Sequence, residues 1–252
     1  IIGTSGRYEF KNKGINVYLE ALNRLTRDKN LKKDVLAFIN VPGWVGEVRE
    51  DLRERLDSGK DYDTPLECPF ITHCLHNMSH DQVLDMLKYL NMSNSVDTKV
   101  KVVFVPCYLD GKDGILNELY YDLLIGTDLS VYPSYYEPWG YTPLESIAFK
   151  VPTITTDLAG FGLWVNSLTG KNATLQDGVK VIHRTDYNYS EVADTIKDTI
   201  SEFSSLTSTE INKIRKNAAN IAEKALWKHF IQYYYEAYDI ALRNAAKRLS
   251  LN

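Results

Sequence analysis

Two stretches of this 252-residue chain carry side chains suited to an anionic ligand. The richer one is Tyr132-Pro-Ser-Tyr-Tyr-Glu-Pro-Trp-Gly-Tyr-Thr-Pro-Leu-Glu-Ser146. It follows an apolar run, Leu129–Pro133, that predicts a strand, and leads into a helix expected to start near Pro143 with Thr142 as its N-cap. Thr142-Pro-Leu-Glu145 fits the S/T-x-x-E capping box, which alone would account for Glu145. The same geometry aims free amides and the positive end of a helix dipole out of the carboxyl edge of a sheet, where a diphosphate binds readily. Gly140 allows close backbone approach. Glu137 lies in the loop, where no capping role explains it. The second stretch is Gly6-Arg-Tyr-Glu-Phe-Lys-Asn-Lys-Gly14, at the turn after the first expected strand. Arg7 can clamp phosphate oxygens in bidentate fashion and Lys13 adds a point charge. Lys11 reads as a solvated surface lysine.

These stretches need a scaffold that brings strand ends together. Short β-type runs at Ile1–Ser5, Val35–Val41, Val100–Pro106, Leu129–Pro133, Pro152–Thr155 and Val179–His183 alternate with helical patterns. Gly14–Arg27 places Ile15, Tyr18, Leu19, Leu22 and Leu25 on one face, and Asp81–Leu90 repeats the pattern with Val83, Leu84, Leu87 and Leu90. The expected fold is α/β, a Rossmann-like parallel sheet with helices on both faces. Residues 1–189 would form this lobe, with a polar helical and loop insertion near 43–69. Residues 190–252 read as a helical C-terminal extension packed on the same lobe. Within it, Glu191–Leu206 and Glu210–Ala225 lead into Leu226–Leu249. There Trp227, Phe230, Ile231, Tyr234, Tyr238, Ala241, Leu242 and Ala245 form an apolar face, read as core, with Tyr233 and Tyr235 solvated. The alternative is that the extra rings dock on another lobe. The chain opens inside a strand, which predicts that it is cut from a longer protein.

Composition narrows the function. The hydrophobic share of 44% and charged share of 25% are those of an ordinary globular protein. A net charge of −4 argues against broad attraction to nucleic acid, and no apolar run is long enough to span a bilayer. Cys68, Cys74 and Cys107, odd in number and without a C-x-x-C pair, favour a reducing compartment, so cytoplasm is the expected location. Cys68, His73, Cys74, His76 and His80 cluster in sequence but match no standard zinc spacing, and read as loop residues. The 17 Tyr and 4 Trp suit a protein that binds sugars and bases, and equally a Tyr-rich core.

Ser5-Gly-Arg-Tyr-Glu-Phe-Lys-Asn-Lys-Gly14 and Pro133–Glu145 closely resemble the matching segments of animal and fungal glycogen synthases. Asp157-Leu-Ala-Gly-Phe-Gly162 is similar to a third segment, and His76-Asn77 and Ile115-Leu-Asn-Glu-Leu-Tyr120 to two weaker ones. The resemblance implies the C-terminal, donor-binding lobe of a retaining GT-B glycosyltransferase. Such an enzyme moves glucose from UDP-glucose to the 4-hydroxyl at an α-1,4-glucan end, with no metal or other cofactor. It implies that Arg7 and Lys13 hold the diphosphate and stabilise the leaving group, that Glu137 stabilises charge at the anomeric carbon, and that Glu145 hydrogen-bonds the ribose. Tyr120 would stack on the uracil, and Tyr136, Trp139, Gly140, Tyr141 and Thr142 would complete the donor site. The implied partners are the nucleotide sugar, the glucan acceptor and an N-terminal lobe of the same protein. ADP-glucose as donor, a different acceptor, or a sugar-binding module without catalysis are the alternatives. Where eukaryotic members carry an arginine-rich helix that binds glucose 6-phosphate, Ile211–Asn220 offers only Lys213, Arg215 and Lys216. The central insertion also looks shorter. Control by sugar phosphate and tetrameric assembly are therefore not expected, and a bacterial relative is.

Overall fold

The computed structural model describes residues 1–249. Among them, six parallel strands form one sheet: β1 (Ile2–Ser5), β2 (Val35–Asn40), β5 (Val100–Val105), β6 (Leu129–Val131), β7 (Thr153–Thr156) and β8 (Val179–Ile182). All six coincide with expected strands. Their order is β5-β2-β1-β6-β7-β8. β1 pairs with β2 from Ile2 opposite Ala37 to Ser5 opposite Asn40, and with β6 through Ile2 opposite Leu129. The chain therefore winds one way from β1 and the other way from β6. Between them lies the topological switch point, where the loops leaving two adjacent strands diverge and open a crevice. The two chemistry-bearing stretches are the loops that leave β1 and β6.

Because the winding reverses, right-handed crossovers place helices on opposite faces. On one side α1 (Ile15–Thr26) packs against α3 (Gln82–Tyr89) and against α7 (Tyr189–Ser205). The expected α1 face is fully buried there, with Tyr18 among the largest enclosed side chains. On the other side α5 (Tyr141–Ala148) and α6 (Gly160–Thr169) meet α8 (Ser208–Lys224), in a second apolar cluster built on Ile147, Phe161, Val165 and Ala218. α8 starts from a capping box in which Thr207 and Glu210 bond each other's amides.

Four features differ from the sequence reading. The stretch near 43–69 holds a strand, β3 (Val45–Val48), as well as α2 (Glu50–Ser58), and β3 pairs antiparallel with β4 (His73–Leu75). Two helices were not expected, α4 (Tyr120–Ile125) and α6.

The helix after β6 begins earlier than its capping signal. Gly140 takes φ 110° and is the N-cap, so Tyr141 and Thr142 are already helical and Pro143 occupies the third position. A proline is tolerated there because amides of the first turn have no intrahelical acceptor. Thr142 consequently makes no cap.

Finally, α9 (Trp227–Leu249) buries no residue. The face read as core is open: Trp227 is 59% exposed and Tyr238 57%. In its first turn Phe230 packs edge-on against Trp139 and Trp164 at 5.5 Å. Helical periodicity reports that a face is apolar, not what covers it. No helix among the described residues is long and apolar enough to cross a membrane.

Candidate functional site

A cleft of about 710 Å³ opens at the carboxyl ends of β1, β2 and β5. Among its lining residues are Gly6, Arg7, Asn40, Asp110, Tyr120 and Thr142. Three of the expected site residues thus share one cavity. Arg7 is 76% exposed at its side chain and pairs with Glu9 at 3.0 Å. An exposed pair of this kind holds the guanidinium weakly, so an incoming anion can take it over.

Tyr120 sits at the start of α4, and its hydroxyl meets the Ser5 hydroxyl at 2.7 Å. Ser5 also contacts the Tyr132 hydroxyl at 3.2 Å, Tyr132 reaches Ser146 at 2.9 Å, and Ser146 donates to the Thr142 carbonyl at 3.0 Å. This relay ties β1, α4, the end of β6 and the first turn of α5 together beneath the cleft. Burial pushes the Tyr120 phenol well above its ordinary pKa, so the group stays neutral and able to donate. Sequence reading missed Ser5, Tyr132 and Ser146 in this role. The available signal was that Ser5 ends β1 and Tyr132 directly follows β6, the two strands at the switch point.

Lys13 and Glu137 form an ion pair with side chains only 14% and 17% exposed, and neither is among the residues that line the cleft. The structure therefore brings together one cation and one carboxylate expected in the site, from the two different loops. Three backbone hydrogen bonds hold the Glu137 loop: Glu137 N–H to the Leu158 carbonyl at 3.2 Å, Gly160 N–H to the Glu137 carbonyl at 3.0 Å, and Phe161 N–H to the Trp139 carbonyl at 2.7 Å. This gives the Asp157–Gly162 segment a physical task, since it clamps the loop that carries Glu137. On the other side, α1 starts from Gly14 at φ 70°, where an added Cβ would lie 2.0 Å from the Pro133 carbonyl oxygen.

The remaining expected residues are spread more widely. Glu145 does not close a capping box; it accepts a hydrogen bond from the Tyr121 hydroxyl at 3.2 Å. Burial raises its pKa, and the Tyr121 bond works in the opposite direction. Tyr136 is exposed, and Tyr141 is 73% exposed on a neighbouring groove that it shares with Trp139, Trp164 and Phe230. The Trp139 ring belongs to that aromatic cluster, and Trp139 is not among the residues that line the cleft.

The sequence cluster of Cys and His disperses. His73 instead lies with Cys107 and Asp113, their ligand atoms within 4.8 Å of one another. Hydrogen bonds already engage two of the three. The His73 ring nitrogens meet the Thr72 hydroxyl and the Asp113 carbonyl at 2.9 and 2.7 Å, and the Asp113 carboxylate accepts from the amides of Ile115, Leu116 and Asn117.

Comparison with known proteins gives a consistent picture. A family model described as glycogen synthase matches residues 51–249. Glycogen [starch] synthase isoform 2 of Saccharomyces cerevisiae is 27% identical over 298 residues, which is 95% of this chain and 42% of the yeast protein. Glycogen [starch] synthase of Caenorhabditis elegans is 28% identical over 291 residues, 95% of this chain and 43% of that protein. The chain thus spans well under half the length of these curated relatives. Among solved structures, a glycosyltransferase from Rickettsia africae ESF-5 matches with a TM-score of 0.53 at 18% identity, over 96% of this chain and 48% of its own. A structure described as "Trehalose-6-phosphate from E. coli bound with UDP-2-fluoro glucose" matches with a TM-score of 0.53 at 12% identity, over 94% of this chain and 43% of its own. At such identities the likeness is one of fold, that of one lobe of a GT-B glycosyltransferase.

Proposed function

The chain belongs to the glycogen synthase family, and from that premise we propose that it is the lobe that binds UDP-glucose and presents it to an α-1,4-glucan end. One observation carries the reading. The cleft lies beside the switch point of the sheet, and an exposed arginine, a tyrosine ring and the first turn of α5 all line it. Helix amides and a guanidinium are the groups a diphosphate needs, and a ring wall suits a base. A neighbour of the same fold is described with a UDP-sugar bound, which is consistent with such a ligand.

In this reading Arg7 and Lys13 take the diphosphate as the glycosidic bond to it breaks and negative charge builds on its oxygens. Fixed cations in a closed cleft stabilise that charge. Glu137, freed from Lys13 by the incoming phosphate, faces the anomeric carbon and stabilises positive charge there. The acceptor 4-hydroxyl enters on the side the diphosphate leaves, its oxygen bonds to the anomeric carbon as its proton passes to the departing diphosphate oxygen, and the configuration is retained. Tyr120 stacks on the uracil, Glu145 holds the ribose hydroxyls, and Tyr136, Gly140, Tyr141 and Thr142, with the Trp139 backbone, complete the donor contacts. The chemistry of the leaving group is met here by side-chain cations. An N-terminal lobe supplies the acceptor side and closes over the donor. The open ring face of α9 gives that lobe somewhere to rest.

Saturation-transfer NMR with UDP, UDP-glucose, ADP and ADP-glucose tests this. Uridine nucleotides are expected to bind selectively, and Arg7→Ala to weaken them by about tenfold, the worth of one charge-assisted hydrogen bond of about 1.5 kcal/mol. Adenine preference would assign the donor to ADP-glucose. Unchanged binding in Arg7→Ala would remove Arg7 from the site.

A further inference from the structure

A second cavity, of about 340 Å³, is lined by Lys11, Asn12, Asn16, Tyr135 and Arg184, none of which lines the cleft. Arg184 follows β8 and is 5% exposed. Its guanidinium donates to the Pro133 carbonyl and lies over the Tyr135 ring, 5.4 Å from the centroid. That carbonyl is its sole hydrogen-bond partner among the described residues. Burial pushes its pKa below that of an ordinary arginine, and no carboxylate acts against the shift. The other buried arginine, Arg49, is paired with Asp51.

An arginine carries five N–H donors in a planar fork. Enclosing that charge with one neutral partner costs far more than the partner returns, which is why buried charges are paired as a rule. The cavity in front of Arg184 contains the means to complete the pairing. Lys11 stands exposed at the rim and adds a second positive charge. Asn16 points a buried side-chain oxygen with no hydrogen-bond partner, so turning its amide would present N–H groups in its place. The Asn12 amide is directed to Glu9, which Arg7 also engages, so that carboxylate is already committed. No acidic residue lines the cavity. The shape and volume exceed what a bare oxoanion fills, and the half-open Tyr135 ring offers a wall on which a polyol can lie.

We propose that the Arg184 cavity is a second anion site, which binds the phosphate group of a small polyol phosphate independently of the nucleotide cleft. The fork of Arg184 takes two phosphate oxygens, Lys11 closes over the third, and the Asn16 amide donates from the side. Because Pro133 and Tyr135 belong to the loop leading to Glu137, an occupied site stiffens that loop from behind.

The test uses the unaltered chain and follows the cleft separately through the amides of Gly6, Arg7 and Tyr120, so that the result stands whether or not the cleft binds nucleotides. Inorganic phosphate and glycerol 3-phosphate are titrated separately while the backbone amides of Asn12, Asn16 and Tyr135 and the Nε–H of Arg184 are followed by NMR. Both should shift these signals, glycerol 3-phosphate at the lower concentration. Equal affinity would assign the site to free phosphate. Asn16→Asp supplies an internal carboxylate for Arg184; it is expected to weaken either anion by about tenfold or more while raising the melting temperature. Lys11→Ala, at the rim, should weaken binding by about threefold. Signals that do not move with either anion, or anion binding that survives Asn16→Asp, would overturn the proposal.

Discussion

Glu137→Gln in the full-length protein is expected to lower glucosyl transfer by about 10²–10³-fold, the usual cost of removing one group that stabilises transition-state charge. The substitution keeps the side-chain shape and removes only the charge. Its partner Lys13, 14% exposed, then loses its carboxylate. The ammonium is released toward the cleft, and a diphosphate no longer has to displace Glu137 to reach it. UDP should therefore bind at least as tightly to the variant as to the parent, so that the loss falls on kcat and not on donor affinity. A purely structural role for Glu137 predicts the opposite pattern: weaker UDP binding, a lower melting temperature, and transfer reduced only in proportion. Measuring kcat, donor KM and UDP affinity on the same variant separates the two.

Gly14→Ala is expected to damage stability severely. The residue sits at φ 70°, which costs an L-amino acid about 1–2 kcal/mol by itself. The added Cβ would also lie 2.0 Å from the Pro133 oxygen and 2.8 Å from an Arg184 nitrogen. Neither is the free end of a flexible group, since one is backbone and the other is a guanidinium held by the same carbonyl. The loops leaving β1 and β6 must move apart, and a loss of about 3 kcal/mol or more follows, seen as a fall of roughly 10 °C in melting temperature for a chain of this size. The control is Gly59→Ala. Gly59 has a similar φ of 60° with nothing within 4 Å, so only the conformational cost of about 1 kcal/mol applies. Equal effects at the two glycines would show that contact with Pro133 is unimportant. The Gly14 variant should also lose nucleotide binding, because Arg7 and Lys13 ride on the displaced loop.

The residues show why part of this was legible in the sequence. β1, β2 and β5 to β8 are apolar runs flanked by turn residues, and α1 and α3 carry a clear 3.6-residue repeat, so local pattern and global fold agree. β3, β4 and α4 are three to six residues long, too short for any period to register. α6 has no side-chain cap and opens on Gly160-Phe-Gly162, which reads as a turn; tertiary contact with the Glu137 loop makes it a helix. At α5 the capping-box spelling was misleading because Gly140 could start the helix two residues sooner. For α9 the apolar face was legible but its burial was not, since burial depends on what lies opposite.

The site divides in the same way. Arg7, Lys13 and Glu137 stand out in the sequence by residue type beside an expected strand end. The relay from Ser5 through Tyr120 and Tyr132 to Ser146 has bonded partners as far as 127 positions apart, and only the sheet order brings them together. Arg184 gave no signal, being one arginine in an ordinary loop until its burial and lack of an acid are seen.

The most direct measurement of the central claim is an amide-shift map of UDP on the isotopically labelled chain. The account predicts shifts at Gly6 and Arg7, at Tyr120, and at Gly140, Tyr141 and Thr142, with little change at the exposed tyrosines of α9. Shifts confined to the α9 groove, or scattered along the strands away from the β1 and β6 loops, would contradict it.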